Sequence, residues 1–261
     1  MQISLVITTY NRPDALLLVL ESVERQSILP CEVIIADDGS NIKTKNLITK
    51  FKAKTSLKII HSFQDDRGFR AARCRNKAIS KASCEYIVLA DGDMILHHNF
   101  LKDHAINSQT GYFVQGSRVL LDTYRTSEIL ENHKLNLHFL SHGLSNRKNA
   151  IHSNFLSTIF STKKNSIRGI KSCNIAFYKK DCISVNGFNH EFEGWGREDS
   201  EFFIRLMNKG VKRKTLKFNA IQYHLWHIKS NRDSLAINDQ LLNKTIVEKL
   251  DWCEMGISFF L

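Results

Sequence analysis

Two aspartates separated by one glycine, Asp91-Gly92-Asp93, lie within the stretch YIVLADGDMIL. Carboxylates about 4 Å apart repel by roughly 1 kcal/mol in water and by several times that at an effective dielectric near 20. A divalent cation would offset that repulsion. Hard carboxylate oxygens suit Mn²⁺ or Mg²⁺, and such ions often bridge protein carboxylates to substrate phosphates. The glycine leaves room for a diphosphate to approach. An Asp-Gly turn after a strand would carry the same residues, so the pair alone does not decide.

Other groups able to do chemistry are spread along the chain. Asp37 and Asp38 close the run CEVIIADDGS; Asp38 is suited to accept from a base or from ribose hydroxyls, and Asp37 to cap the turn. Arg67, Arg70, Arg73 and Arg75 crowd DDRGFRAARCRNKAI, and at least one should face a cleft and pair with phosphate. In GFNHEFEGWGREDSEFFIRLMNKG, Gly194-Trp195-Gly196 reads as a flexible aromatic loop, with Glu198 and Asp199 opening a helix that Gly210 closes. The helix dipole favours carboxylates in that first turn without any further role. Trp195 between two glycines is poorly explained as core, which favours a general base beside an aromatic platform for a sugar ring. His224 and His227, in YHLWHIKSNRD, follow the strand-like NAIQYH. Neutral imidazole there could complete the coordination of a metal held by a carboxylate. His133, His138 and His142 lack a compact ligand spacing and read as surface residues.

The elements that must position these groups follow from the apolar pattern. ISLVITTY, CEVIIADDGS, LKIIHSF and EYIVLADGDM read as four strands. DALLLVLESVERQ and FRAARCRNKAISKAS read as helices, with Asn11 available to cap the first and Pro13 suited to its first turn. Strands alternating with helices predict a parallel sheet covered on both faces. In such a sheet ligands sit at the carboxyl ends of the strands, where Thr8, Thr9, Tyr10, Asp37, Asp38, Asp91 and Asp93 all fall. Neither G-x-G-x-x-G nor G-x-x-x-x-G-K-[ST] is present. A nicotinamide or flavin site and a P-loop are therefore disfavoured.

The chain has 261 residues, is 43% hydrophobic, and carries a formal charge of +11. Its length and lack of a Gly/Ser/Pro-rich linker predict one compact unit. No secretory signal and no long apolar run are visible, and six scattered cysteines lack a C-x-x-C pair. The expectation is a cytoplasmic protein in a reducing compartment. Between Asn132 and Lys180 there are nine Lys/Arg and no acidic residue. This is either a solvated basic face or a surface that meets anions. Interleaved Phe139, Phe155 and Phe160 suit an anionic membrane surface better than nucleic acid, and the apolar ending CEMGISFFL points the same way.

With these residues assembled, the chain resembles a family 2 glycosyltransferase of the GT-A fold. VITTYNRPDALLLVLESVERQ, VIIADDGS and YIVLADGDM match that family's opening in order and spacing. GFNHEFEGWGREDSEF is similar to a second signature, shared with bacterial chondroitin-type polymerases and the β1,4-galactosyltransferases. The resemblance implies an α/β GT-A (Rossmann-like) fold with a mostly parallel central sheet flanked by helices. It implies one domain over residues 1–261: a nucleotide-sugar half to about 115, an acceptor half over about 116–230, and a C-terminal helical tail over 231–261.

By that resemblance Thr8 and Tyr10 line the nucleotide pocket with Arg12 beside them, Asp38 meets uracil, and Arg70 approaches the nucleotide. Asp91 and Asp93 hold Mn²⁺ or Mg²⁺ on the sugar diphosphate, Asp93 as the direct ligand. Asp199 is the base, and Trp195 and Glu198 hold the acceptor sugar. A later histidine completes the metal site. His224 aligns best, and His227 stays open because relatives with two histidines space them two apart. The implied activity is inverting, metal-dependent transfer from a UDP-sugar to a glycan or lipid-linked saccharide, in bacterial surface polysaccharide or lipopolysaccharide synthesis, peripheral on the inner face of the cytoplasmic membrane. Two other classes stay open: a non-catalytic polyanion- or membrane-binding module, and a D-x-D phosphohydrolase. The latter usually carries its motif on the first strand, not the fourth.

Overall fold

The structure, a computed structural model, describes residues 1–166, 169–228 and 231–261. Its first four main-sheet strands are β1 (Ile3–Thr9), β2 (Glu32–Asp37), β3 (Ile59–Phe63) and β4 (Tyr86–Asp91). They pair in parallel in the order β3-β2-β1-β4. Helices α1 (Pro13–Glu24), α2 (Ile42–Lys52) and α3 (Ala71–Ser80) connect them. β1, β2 and β4 are buried along almost their whole length, as a sheet covered on both faces requires. Period-two alternation divides their side chains. Leu5 and Ile7 join Leu16, Leu20 and Val23 of α1, while Val6 joins Cys74, Ala78 and Ile79 of α3 on the opposite face.

Strand register builds the functional edge. Thr8 lies opposite Asp91 across β1 and β4, and Thr9 lies opposite Asp37 across β1 and β2. Three strands therefore finish level, and their polar ends converge as expected from the sequence.

Past β4 the chain does not run straight on through Met94. It turns at Gly92 and enters a second sheet as β5 (Met94–Leu96). There follow α4 (Phe100–Asn107), β6 (Tyr112–Gln115), β7 (Ser117–Leu121), α5 (Thr123–Asn132) and β8 (Leu144–Ser145). Then come α6 (Asn154–Phe160), β9 (Thr162–Lys163), β10 (Asn174–Tyr178) and α7 (Lys179–Ser184). The last elements are α8 (Glu198–Asn208), β11 (Lys212–Thr215), β12 (Ile221–His224) and α9 (Leu235–Val247). The main sheet extends beyond β4 as β10-β6-β11-β9, with β10 antiparallel to both β4 and β6. The second sheet has the order β5-β12-β7-β8. Antiparallel pairing of β12 with β5 sets His224 opposite Met94, one residue from Asp93.

Two local expectations are corrected. Asn11 does not cap α1; at φ 50° its Oδ1 accepts the Asn41 N–H at 2.9 Å, and α1 begins at Pro13 with no side-chain cap. A partner 30 residues away outweighs the local one. The segment 231–261 is also more than a tail. Thr245 of α9 donates to Glu201 Oε1 at 3.2 Å, and Ile257 is buried in the core with Phe188 and Phe202, leaving only part of the apolar ending, Phe259 and Leu261 among it, exposed. Among the described residues no helix is long and apolar enough to cross a membrane.

Candidate active site

A cleft of about 530 Å³ opens at the level strand ends, a volume in the range of small-molecule sites. From the first half of the chain it is lined by Thr8, Tyr10, Arg12, Asp38, Asp91 and Asp93, and from the second by Trp195, Glu198, Asp199 and His227. Of the residues expected from the sequence, Arg70 and His224 do not line it.

On the β1–β2 side, Asp38 is buried and accepts from Gln64 Nε2 at 2.5 Å and from the Arg70 N–H at 2.8 Å. Burial pushes its carboxyl above the usual range, with the Arg70 N–H opposing that shift. Asp37 has the capping role: it accepts the Ser40 N–H at 2.8 Å and pairs with His61 at 2.7 Å. Gly39, at φ 92°, lies where any Cβ would strike the backbone of Asp66. That close approach locks the loop after β2 onto the loop after β3. Tyr10 reaches the same loop through its hydroxyl, which donates to Asp66 Oδ2 at 2.9 Å. Arg70 acts here through its backbone; its guanidinium donates to the Asp65 carbonyl at 2.6 Å.

The D-x-D carboxylates have different surroundings. Asp93 Oδ2 lies 3.4 Å from His224 Nε2 and 3.3 Å from His227 Nε2. Its Oδ1 is buried without a hydrogen-bond partner. Burial raises the Asp93 pKa, but the adjoining His224 together with His227 and Arg12 outweighs it and holds the carboxyl below its usual value. One carboxylate and two imidazoles, their ligand atoms all within 4.8 Å of one another, make a donor set for a divalent cation, and the orphaned Oδ1 supplies an unused lone pair. Asp91 has a different partner, with Oδ1 3.5 Å from Arg75 Nη2. Burial pushes its carboxyl up, Arg75 opposes this, and the Asp93 charge adds to it.

Asp199 stands in the first turn of α8. Its Oδ2 accepts the Ser172 N–H at 3.1 Å and its Oδ1 the Ser200 N–H at 2.6 Å. Burial and the neighbouring Glu198 charge raise its pKa to about 6. A carboxyl poised there suits a general base near neutral pH. Glu198 accepts from Arg75 Nη1 at 3.0 Å, so one buried guanidinium joins the first turn of α8 to the D-x-D.

The Gly194-Trp195-Gly196 loop is more firmly held than its composition predicts. Asn238 Nδ2 donates to the carbonyls of Glu193 and Gly196 at 3.1 and 2.9 Å, and the Gly194 N–H donates to Phe69 at 2.9 Å. Gly194, at φ 74°, packs so closely on Ser234 that a Cβ would overlap its side chain. Trp195 remains 39% exposed, with the Arg232 guanidinium 4.9 Å from its ring centre.

Sequence reasoning did not single out Arg75, Ser172 or Asn238. A signal for Arg75 existed: it shares the buried face of α3 with Ala71, Ala78 and Ile79. The surface reading of the middle histidines agrees with what they touch. His133 pairs with Glu21 and His142 with Glu128. A second cluster of His97, Asp103 and His152 has an internal purpose. Asp103 already accepts the Ala220 N–H at 2.8 Å and binds His152 at 3.0 Å.

Comparison with known proteins places this geometry. The model of Glycosyl transferase family 2 matches residues 4–167. The chain belongs to glycosyl transferase family 2. A second model, the N-terminal domain of galactosyltransferase, matches residues 156–228, which include Asp199 and both site histidines. Hyaluronan synthase of Pasteurella multocida is 28% identical over 241 residues, covering 85% of this chain and 24% of that protein. Chondroitin synthase of Escherichia coli is 26% identical over 247 residues, covering 85% of this chain and 34% of that protein. The family 2 chain thus spans about a quarter to a third of these relatives. The crystal structure of S. aureus TarS superimposes with a TM-score of 0.62 at 18% identity, over 100% of this chain and 41% of that one, and shares the GT-A fold.

Proposed function

We propose that this family 2 chain is an inverting, metal-dependent glycosyltransferase. It moves a sugar from a UDP-sugar to a hydroxyl of a glycan or lipid-linked saccharide in bacterial surface polysaccharide or lipopolysaccharide synthesis. One observation carries this reading: Asp93 with His224 and His227 makes a donor set for a divalent cation, and Asp93, His227 and Asp199, whose carboxyl has its pKa raised to about 6, line one cleft. A TarS fragment of matching fold, TM-score 0.63, is crystallised with UDP-GlcNAc, which supports the donor class.

In this reading residues to about 115 hold the nucleotide and those over about 116–230 the acceptor. Asp38, Thr8, Tyr10 and Arg12 hold the nucleoside end. Asp93, His224 and His227 would hold Mn²⁺ or Mg²⁺. When bound, the cation neutralises charge on the diphosphate. Asp199 takes the proton of the acceptor hydroxyl as its oxygen attacks the anomeric carbon from the face opposite the diphosphate. The sugar–phosphate C–O bond breaks and its electron pair leaves with UDP, so the anomeric centre inverts. Ser172 and Ser200 orient the base, and Trp195 and Glu198 shape the acceptor side.

The deciding test is UDP binding by calorimetry, with and without Mn²⁺, for the wild type and Asp93→Ala. Binding that needs both metal and Asp93 is expected. No binding under any condition would sink the reading and bring the polyanion-binding module forward.

The same reading sets the basic face against an anionic membrane. Helix α6 exposes Phe155, Ile159 and Phe160, and Lys163 and Lys164 follow after Ser161 and Thr162, a pairing of apolar and cationic groups that suits headgroups. Flotation with vesicles containing anionic lipid should carry the protein upward at low salt. Equal flotation with neutral vesicles would count against it.

A further inference from the structure

The cleft is lined by five cationic side chains, and they fall into two groups. Arg12 pairs with Asp14 at 3.6 Å, Arg75 with Glu198 at 3.0 Å, and Arg197 with Asp239 at 2.5 Å. Arg118 and Lys171 also line the cleft, yet among the described residues neither forms an ion pair with a carboxylate. The polar side-chain neighbour of Arg118 is the Cys173 thiol, at 4.0 Å.

The two cations come from neighbouring parts of the cleft wall: Arg118 meets Cys173, two residues past Lys171. Burial, joined by the charge of Arg118, holds Lys171 below its usual range, and the Asp199 charge partly opposes that. Two cations that line one cleft, neither ion-paired with a carboxylate of its own, draw an anion into it. Arg118 is fixed by its backbone, whereas Lys171 is an exposed residue just before β10. Arg118 sits within β7, in register with Gln222 of β12, and its carbonyl accepts from Asn149 at 2.9 Å. Lys171 immediately precedes Ser172, whose N–H holds Asp199.

That adjacency assigns the pair to the acceptor side. The catalytic base must face the attacking hydroxyl, and Lys171, one residue from the base's own anchor, lines the same cleft. The donor side has its own groups: Asp93, His224 and His227 for a cation, and Arg12 at the nucleoside end.

We propose that the acceptor is an anionic saccharide, and that Arg118 and Lys171 select it by binding a carboxylate or phosphate group beside the reacting hydroxyl. This rests on the glycosyltransferase reading above. A guanidinium fork binds either oxyanion bidentately, and the ammonium adds a point charge. A uronic-acid carboxylate and a sugar phosphate share this chemistry.

The test uses the full chain with three probes: methyl β-D-glucuronide, glucose 6-phosphate and neutral methyl β-D-glucoside. Each is titrated by NMR with and without UDP and Mn²⁺. At least one anionic probe should bind tenfold or more tightly than the glucoside. Preference for the glucuronide alone identifies a carboxylate, and preference for the phosphate alone identifies a phosphate. In Arg118→Gln/Lys171→Gln the preference should fall below about threefold while UDP affinity stays within twofold of wild type.

Equal binding of all three probes by a wild type that binds UDP would overturn the proposal. So would a double variant that loses UDP affinity instead, because the cations would then serve the donor diphosphate. Loss of UDP binding by the wild type itself would count against the enzymatic reading. The ratio of anionic to neutral probe, read without UDP, tests the anion site separately.

Discussion

Arg75 Nη1 lies 3.0 Å from Glu198 Oε1, joining residues 123 positions apart in the chain. The guanidinium is almost fully buried, and its other nitrogen approaches Asp91. Its charge also holds down the pKa of Asp199 against burial. Arg75→Gln therefore has two expected effects. Leaving Glu198 buried and unpaired should destabilise the fold by about 3–5 kcal/mol, read by denaturant unfolding. The acid limb of the activity profile should move to higher pH, because Asp199 loses a stabilising positive charge. A variant of wild-type stability with an unmoved limb would show that the pair contributes little.

Asp199 should reveal its environment in both activity and stability. The base works ionised, so kcat/KM should fall as pH drops through about 6. Asp199→Asn should lower transfer by about 10²–10⁴-fold and spare UDP binding. The stability sign is the reverse of a salt-bridged aspartate. A carboxyl whose folded pKa lies above its unfolded value costs stability once pH exceeds the folded pKa, and costs nothing below the unfolded one. Asp199→Asn should thus fare better against wild type at pH 7.5 than at pH 3.5, a pH-dependent gain on the order of 1–3 kcal/mol set against the one backbone N–H that the amide nitrogen cannot accept. At pH 3.5 the gain should vanish. Equal transfer by wild type and variant would move the base elsewhere.

The two histidines beside Asp93 offer a direct comparison. Both Nε2 atoms lie near the same carboxylate oxygen, so both are expected to bind the cation. His224→Ala and His227→Ala should each weaken Mn²⁺ binding, measured by electron paramagnetic resonance, by roughly tenfold or more. A loss confined to His224→Ala would make His227 a lining residue only.

The extent to which these groups could be read from sequence depends on how local their determinants are. β1, β2 and β4 announce themselves as apolar runs because burial on both faces leaves no polar alternation. Asp91 and Asp93 stand out because like charges at a strand end need a reason. Arg75 is harder to find. Four arginines share one short stretch, and only the phase of α3 separates the buried Arg75 from the partly exposed Arg73. The role of His227 depends on β12 pairing with β5, residues more than 120 positions apart. No local pattern encodes that pairing. The antiparallel insertion of β10 beside β4 is hidden for the same reason. Asn11 shows the converse, a sound local expectation overridden by Asn41.

Asn238 supplies the last prediction. It is 1% exposed, and its single amide nitrogen donates both hydrogens, one to each end of the Trp195 loop. Asn238→Asp is nearly isosteric but can only accept, so it would set a carboxylate against two carbonyl oxygens. Removing the donor leaves buried carbonyls unsatisfied at about 1–3 kcal/mol, and the added charge should cost more. The aspartate variant should therefore melt below Asn238→Ala, and both below wild type. Released from α9, the loop should be cleaved faster by protease, and acceptor KM should rise while UDP affinity holds. An aspartate variant as stable as wild type would mean that the loop is held by Phe69 and Ser234 instead.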